Sequence, residues 1–471
     1  MTFLPLDPLP DDLQQNRRAY SPQTSLVRPN THLASAFGSG SDTPRDYLER
    51  CLDAIATQEP SVRAYVMLDA NRARATADAA TQRYKEGKPL SPVDGMPVAV
   101  KDMIETIDFP TQMNNPIFKD WSSRRDAAGV CALRAAGAVI LGKTVTTEFA
   151  VGNSGPTRNP YDSTRTPGGS SSGSAASVGA GMTALGLGTQ TIASTIRPAS
   201  YCGIYALKAT HGALHTGGVT PLAPTLDHLT VFGASLEDMW AGAMAMASRM
   251  GGTPPSRALH GPLTAPAAEK PRTLIRLHMQ GWTETPVASQ QVFESAISRL
   301  SQAGIQILDR DSNGAIAALE KAIFALHDYS LDILAWETRW PFQAYLGHGA
   351  DQIGKRIHDL VDRAASMDSA KYEHAVMCRQ QLREQVAAFG VGGEKVDGFV
   401  ALSSSGPAIQ DHAFTGSRSF AAPWSVVGGP ALSLPVLAVD ELPLGIQLTG
   451  FAHRDAELCG FAGSVRNIVL S

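Results

Sequence analysis

Cysteine is scarce in this 471-residue sequence. The five that occur, Cys51, Cys131, Cys202, Cys378 and Cys459, are odd in number, far apart and in no CxxC pair. That argues against a disulfide framework or a zinc framework and fits a reducing compartment, so a cytoplasmic location is expected. A long hydrophobic run is missing too. No stretch of 18 apolar residues occurs, so no membrane-spanning helix is expected. The opening "MTFLPLDPLPDDLQQNRRAY" has neither the basic start nor the apolar core of a secretory leader. Blocks of one charge sign are also absent. Forty basic against 44 acidic residues give −4, which argues against a broad face for nucleic acid or anionic membrane.

What is present is core material: 43% hydrophobic and 18% charged residues, a globular balance. Residues 1–40, rich in Pro, Asn and Ser, read as an extended N-terminal arm. A helix follows, capped by Ser41 or Asp42 with Pro44 in its first turn. Its apolar stripe is Tyr47, Leu48, Cys51, Leu52 and Ile55. A second helix ends at Gly87. A short strand from Pro97 to Val100 leads to Lys101. A helix through Ala136 precedes a buried strand, Ala138 to Leu141. Helices and short apolar strands keep alternating through "GSAASVGAGMTALGLGTQ", "YCGIYALKAT", "PALSLPVLAV" and "PLGIQLTG", which predicts an α/β core over 41–471. Residues 284–395 read instead as a mostly helical cover inserted between two parts of that core.

Three motifs compete for the chemistry. "GAVILGKT" (137–144) matches a phosphate-loop pattern, but its middle residues form a strand and no helix opens at Lys143. "GSSSG" (169–173) matches a nucleophile elbow around Ser171, but turn chemistry precedes it where a strand is required. The third is dispersed: Lys101 at a strand end, the Gly-Ser run at 168–174, and "GTQTIASTIRPASYCG" at 188–203.

These segments, with "DGMPVAVKDMIET", "GNSGPTRNPYDSTRTPGGSSSGSAA", "LDHLTVFGASLEDM" and "WSVVGGPALSLP", resemble the amidase signature family of serine hydrolases through most of the chain. The resemblance implies a single large mixed sheet covered by helices on both faces. It implies a Ser–Ser–Lys triad that falls on Lys101, Ser170 and Ser194, with a cis peptide bond before Ser170. The backbone amides of Thr191, Ile192, Ala193 and Ser194 would form the oxyanion hole. A lysine serves as base only when burial lowers its affinity for a proton. Asp102 should alternate to the other face of an extended strand and need not pair with Lys101.

The sequence departs from the family pattern in one loop. Ile192 and Ala193 stand where glycine is usual, and Gln190 where aspartate is frequent. Either the loop keeps ordinary backbone angles or its oxyanion hole is reshaped. For substrate contact, Met113, Asn114, Asn153, Tyr201, Trp424 and residues 415–420 are candidates. Arg197 is expected either to hold a carboxylate or to brace the loop. The resemblance implies hydrolysis of a small-molecule amide, carbamate or urea-type bond with no metal or cofactor, and the charge balance predicts no nucleic-acid or membrane partner. A homodimer is left open. The alternatives are an elbow-type esterase using Ser171, a nucleotide-binding protein, a catalytically silent binding protein and a glutamine-hydrolysing amidotransferase subunit.

Overall fold

The computed structural model describes residues 17–391 and 395–471, so the first 16 residues of the expected arm lie outside the described residues. The rest of the arm is docked. Arg17 bridges to Asp162, and the buried Tyr20 donates from its hydroxyl to the Pro435 carbonyl. The Asp238 carboxylate accepts the amides of Asn30 and Thr31 as the arm turns helical.

Eleven strands follow in chain order: β1 (Tyr65–Leu68), β2 (Pro97–Lys101), β3 (Val139–Thr144), β4 (Leu185–Gln190), β5 (Tyr205–Lys208), β6 (His228–Gly233), β7 (Thr273–Arg276), β8 (Gln306–Leu308), β9 (Gly398–Leu402), β10 (Ala431–Val439) and β11 (Leu442–Thr449). They build one sheet in the order β1-β3-β2-β4-β6-β5-β10-β11-β9-β7-β8. Strands β3, β2 and β4 are mutually parallel, and the centre from β4 to β9 is antiparallel. The sheet is therefore mixed.

The helices are α1 (Ala34–Ser39), α2 (Pro44–Val62), α3 (Ala70–Lys85), α4 (Ala128–Ala135), α5 (Ser172–Gly179), α6 (Ile196–Cys202), α7 (Leu236–Met250), α8 (Val287–Gln302), α9 (Gly314–Gly349), α10 (Lys355–Ala365), α11 (Ser369–Ala388), α12 (Ala422–Val427) and α13 (Asp455–Leu470). They cover both faces, and strand alternation shows it. Val98 and Val100 pack with Val130, Leu133 and Met239 of α4 and α7, while Ala99 packs with Leu48, Ala77 and Ala175 of α2, α3 and α5.

Three local expectations are corrected. Thr43, not Ser41 or Asp42, caps α2, because it directly precedes Pro44 and its hydroxyl accepts the Asp46 amide. The first helix, read from the sequence through Val66, stops at Val62, where Arg63 turns left-handed (φ 52°), and Tyr65–Leu68 form β1 at the sheet edge. Within 284–395, α8 and β8 belong to the sheet layer. β8 pairs with β7 in parallel, and that connection needs α8 as its crossover. The cover itself is α9 to α11.

Helix α5 explains the small residues after the serine run. A Cβ on Gly173 would meet the Ala64 carbonyl oxygen at 2.2 Å and the Val145 nitrogen at 2.5 Å. The hydroxyl of Ser172 donates to the Val145 carbonyl and that of Ser174 to the Leu187 carbonyl, so the helix is stitched to the strand backbones beneath it.

Candidate active site

Lys101 ends β2, whose five residues are all buried. The register of β2 with β4, Val100 opposite Leu187, brings the carboxyl ends of both strands together. Sites in parallel sheets form at such ends. There Lys101 Nζ lies 2.7 Å from Ser170 Oγ and 2.7 Å from Thr189 Oγ1. The amine is fully buried, and loss of hydration lowers its pKa from the usual lysine value to about 7, against a weaker opposing pull from Asp227.

Burial alone does not mark Lys101, because Lys143 and Lys208 are equally inaccessible. Lys208 contacts His228 Nε2 and the Gly429 carbonyl. Lys143 pairs with Asp102 at 3.1 Å and donates to Thr111 Oγ1. Its neighbour accounts for the phosphate-loop letters. The β2–β3 register jumps from Ile140 to Gly142, so one residue is skipped and Lys143 comes level with Val100, on the Asp102 face. Gly142 permits the close approach of β1, where a Cβ would meet the Met67 oxygen at 2.1 Å. "GKT" is a strand carrying a buried ion pair. Lys143→Met should leave Asp102 buried without its cation and cost about 3–5 kcal/mol in denaturant unfolding.

Ser170 follows a cis Gly169–Ser170 peptide bond. Its carbonyl accepts the Thr147 amide, and the Gly169 carbonyl accepts Arg197 Nη2. Ser171, by contrast, is fully buried. Its hydroxyl donates to the Thr189 carbonyl at 3.2 Å and lies 3.3 Å from the Thr189 amide, so it is committed to β4.

The loop from Thr191 to Ser194 joins β4 to α6. Neither Ile192 nor Ala193 has a positive φ, so the loop keeps ordinary angles. Gln190 anchors it. Its Oε1 accepts the amides of Thr195 and Ile196, and its Nε2 donates to Ser425 Oγ, which in turn donates to the Ile192 carbonyl. An aspartate could accept but could not donate. Thr191 Oγ1 donates to Asp227.

A cavity of about 580 Å³ opens above these groups. Ser170 and Thr191 to Ser194 line its floor, Leu331, Leu334 and Leu360 of α9 and α10 its roof, and Thr415 to Ser419 a side wall. Arg197 also reaches it, but its guanidinium donates to the carbonyls of Gly169 and Gly416 and to Thr415 Oγ1, so it braces two loops.

The other expected contact residues lie outside that lining. Met113 has φ 55° and turns the chain after β2, its amide donating to the Asp102 carbonyl. Asn153 is exposed near Gly354. Tyr201 is buried behind Gly416. Trp424 is buried with its ring 5.1 Å from Phe399. Thr189 joins the site although the sequence does not single it out; its place directly before Gln190 in "GTQT" is the available signal. Among the described residues, no group of three or more His, Cys, Asp or Glu side chains could hold a metal ion, and no helix is long and apolar enough to cross a membrane.

A buried amine touching a hydroxyl on a cavity floor, at the carboxyl ends of parallel strands, is how an enzyme site is built. The chain belongs to the amidase signature family: the Amidase family model matches residues 46–459. Two relatives, both named as the same subunit of glutamyl-tRNA(Gln) amidotransferase, are similar over most of their length. That of Symbiobacterium thermophilum is 31% identical and that of Leptospira interrogans (serovar copenhageni) 29%, each over 93% of this chain and 96% of the relative. Among solved structures, a protein of a vestigial complex bearing on the origins of an s-triazine catabolic enzyme is 26% identical. It has a TM-score of 0.79 and covers 93% of this chain and 98% of its own. The peptide amidase of Stenotrophomonas maltophilia, 23% identical with a TM-score of 0.76 over 94% and 96%, shares the fold.

Proposed function

We propose that this chain is a serine amidohydrolase that cleaves the C–N bond of a small-molecule amide through an acyl-enzyme on Ser194. The observation that carries this is the buried 2.7 Å contact between Lys101 Nζ and Ser170 Oγ, with Ser170 and Ser194 lining one cavity floor. A neutral Lys101 takes the Ser170 proton while Ser170 takes that of Ser194. The Ser194 oxygen bonds to the amide carbon, and the carbonyl electron pair moves onto its oxygen. The amides of Thr191 to Ser194 receive that charge; such donors contribute about 3–4 kcal/mol each. The pair then returns, the C–N bond breaks, and the nitrogen leaves with the proton held on Lys101, relayed by Ser170. Water attacks the acyl carbon, its proton travels the same path to Lys101, and the Ser194 ester bond breaks to release the acid. Ser194 recovers its proton from the relay.

Mass spectrometry of protein treated with a fluorophosphonate tests the reading. The expected result is a single adduct on the peptide holding Ser194. An adduct on Ser171, or none, overturns it.

The names of these relatives favour a second reading, a glutamine-hydrolysing protein that works with partner subunits. Ammonia release from glutamine that far exceeds release from simple amides, and that needs those added partners, would support it.

A further inference from the structure

We propose that the cavity takes amides that carry a carboxylate, and that the guanidinium of Arg418 receives that group; this rests on the amidohydrolase reading above. Arg418 lies in the segment between β9 and α12, where its carbonyl accepts the amides of Ala421 and Ala422 and fixes the turn. Its side chain lines the cavity shared by Ser170 and Ser194.

What distinguishes Arg418 from the other arginines of the lining is the absence of a hydrogen-bond acceptor. Among the described residues its guanidinium makes no hydrogen bond and no ion pair, although the residue is half-buried. Its five N–H donors form a planar fork left without an acceptor beside the cavity. The other two arginines of the lining have acceptors, although the buried Nε of Arg197 has none. Arg197 donates to Gly169, Gly416 and Thr415, and Arg356 to the Ala413 carbonyl. Neither of the two carboxylates of the lining pairs with Arg418. Glu284 accepts the hydroxyls of Ser405 and Ser419, and Asp359 pairs with Lys355.

The lining carries three arginines, Arg197, Arg356 and Arg418, against two carboxylates, Glu284 and Asp359. Burial and the charge of Arg363 weaken the hold of Arg418 on its own proton, and the charge of Arg418 does the same to Arg197. Arg363 pairs with Asp332, which Lys371 also contacts. Arg197 has only neutral acceptors. A free fork in one wall suits a planar anion, and a carboxylate matches it with two parallel hydrogen bonds.

The test compares anionic with neutral substrates. Succinamate and glutaramate are set against their diamides, which places the charge on the acyl side. N-acetylalanine is set against its methylamide, which places it on the amine side. Wild-type protein is expected to favour the carboxylate in one of the two series by about 10- to 100-fold in kcat/KM. Arg418→Gln brings that ratio to within about twofold of unity, Arg418→Lys keeps part of it, and Arg418→Glu reverses it. Melting curves for each variant check that it is folded. A wild type without preference in either series, or a preference that survives Arg418→Gln, overturns the proposal while leaving the hydrolase reading intact. Absence of both turnover and Ser194 labelling in wild type overturns the hydrolase reading, and this proposal with it.

Discussion

Ser194→Ala is expected to lower kcat by about 10⁴- to 10⁶-fold, the range seen when the attacking oxygen of a serine hydrolase is removed. KM should change little, because Ser194 supplies one hydroxyl to a cavity with many other walls. The residue is partly exposed at the cavity floor, so the variant should melt close to wild type. Ser171→Ala gives the contrasting result. That hydroxyl is fully buried between the amide and carbonyl of Thr189, and its loss costs about 1–3 kcal/mol of stability. Labelling at Ser194 should persist there. Steady-state kinetics and adduct mapping on both variants check the pair. Turnover that survives in Ser194→Ala would exclude an acyl-enzyme on that residue.

Lys101→Met should lower kcat by about 10²- to 10⁴-fold, the usual contribution of a general base, and should abolish fluorophosphonate labelling at neutral pH. Methionine fills most of the same volume without a charge to bury, so folding is preserved. The pH profile carries the assignment. With its pKa lowered to about 7, Lys101 is protonated and inactive as a base below that value. Wild-type kcat/KM should therefore rise through about pH 7 and level above it. The stability sign follows from the same shift. Between about pH 7 and pH 10 the unfolded lysine holds a proton that the folded one releases, so this group makes stability rise with pH. Lys101→Met lacks both the activity limb and this contribution. A wild-type profile that is flat between pH 5 and 9 would rule out a buried lysine base.

The cavity wall is where local sequence stops being informative. Residues 415–420 are a candidate segment, but nothing in "TGSRSF" distinguishes Arg418 from a solvated surface arginine. Its lack of an acceptor depends on where Glu284 and Asp359 spend theirs, more than 50 residues away in each case. Met113, Tyr201 and Trp424 are candidates because large side chains near a site often line it. The structure spends Tyr201 and Trp424 on packing and Met113 on a turn. For Arg197 the sequence permits two roles. Only the positions of the Gly169 and Gly416 carbonyls decide that it braces the loops.

Helix and strand alternation, the family and the strand-end lysine are all legible in the linear chain, because periodicity and motif order are local properties. So is the choice posed at Ile192, since a β-branched residue resists positive φ wherever it sits. Which buried lysine meets a hydroxyl and which meets a carboxylate is a property of the folded molecule. One skipped residue in the β2–β3 register places Lys143 level with Val100 on the Asp102 face, while Lys101 meets Ser170 and Thr189. Pairing register is set by contacts between distant segments, and a shift of one residue exchanges the faces of every side chain beyond it.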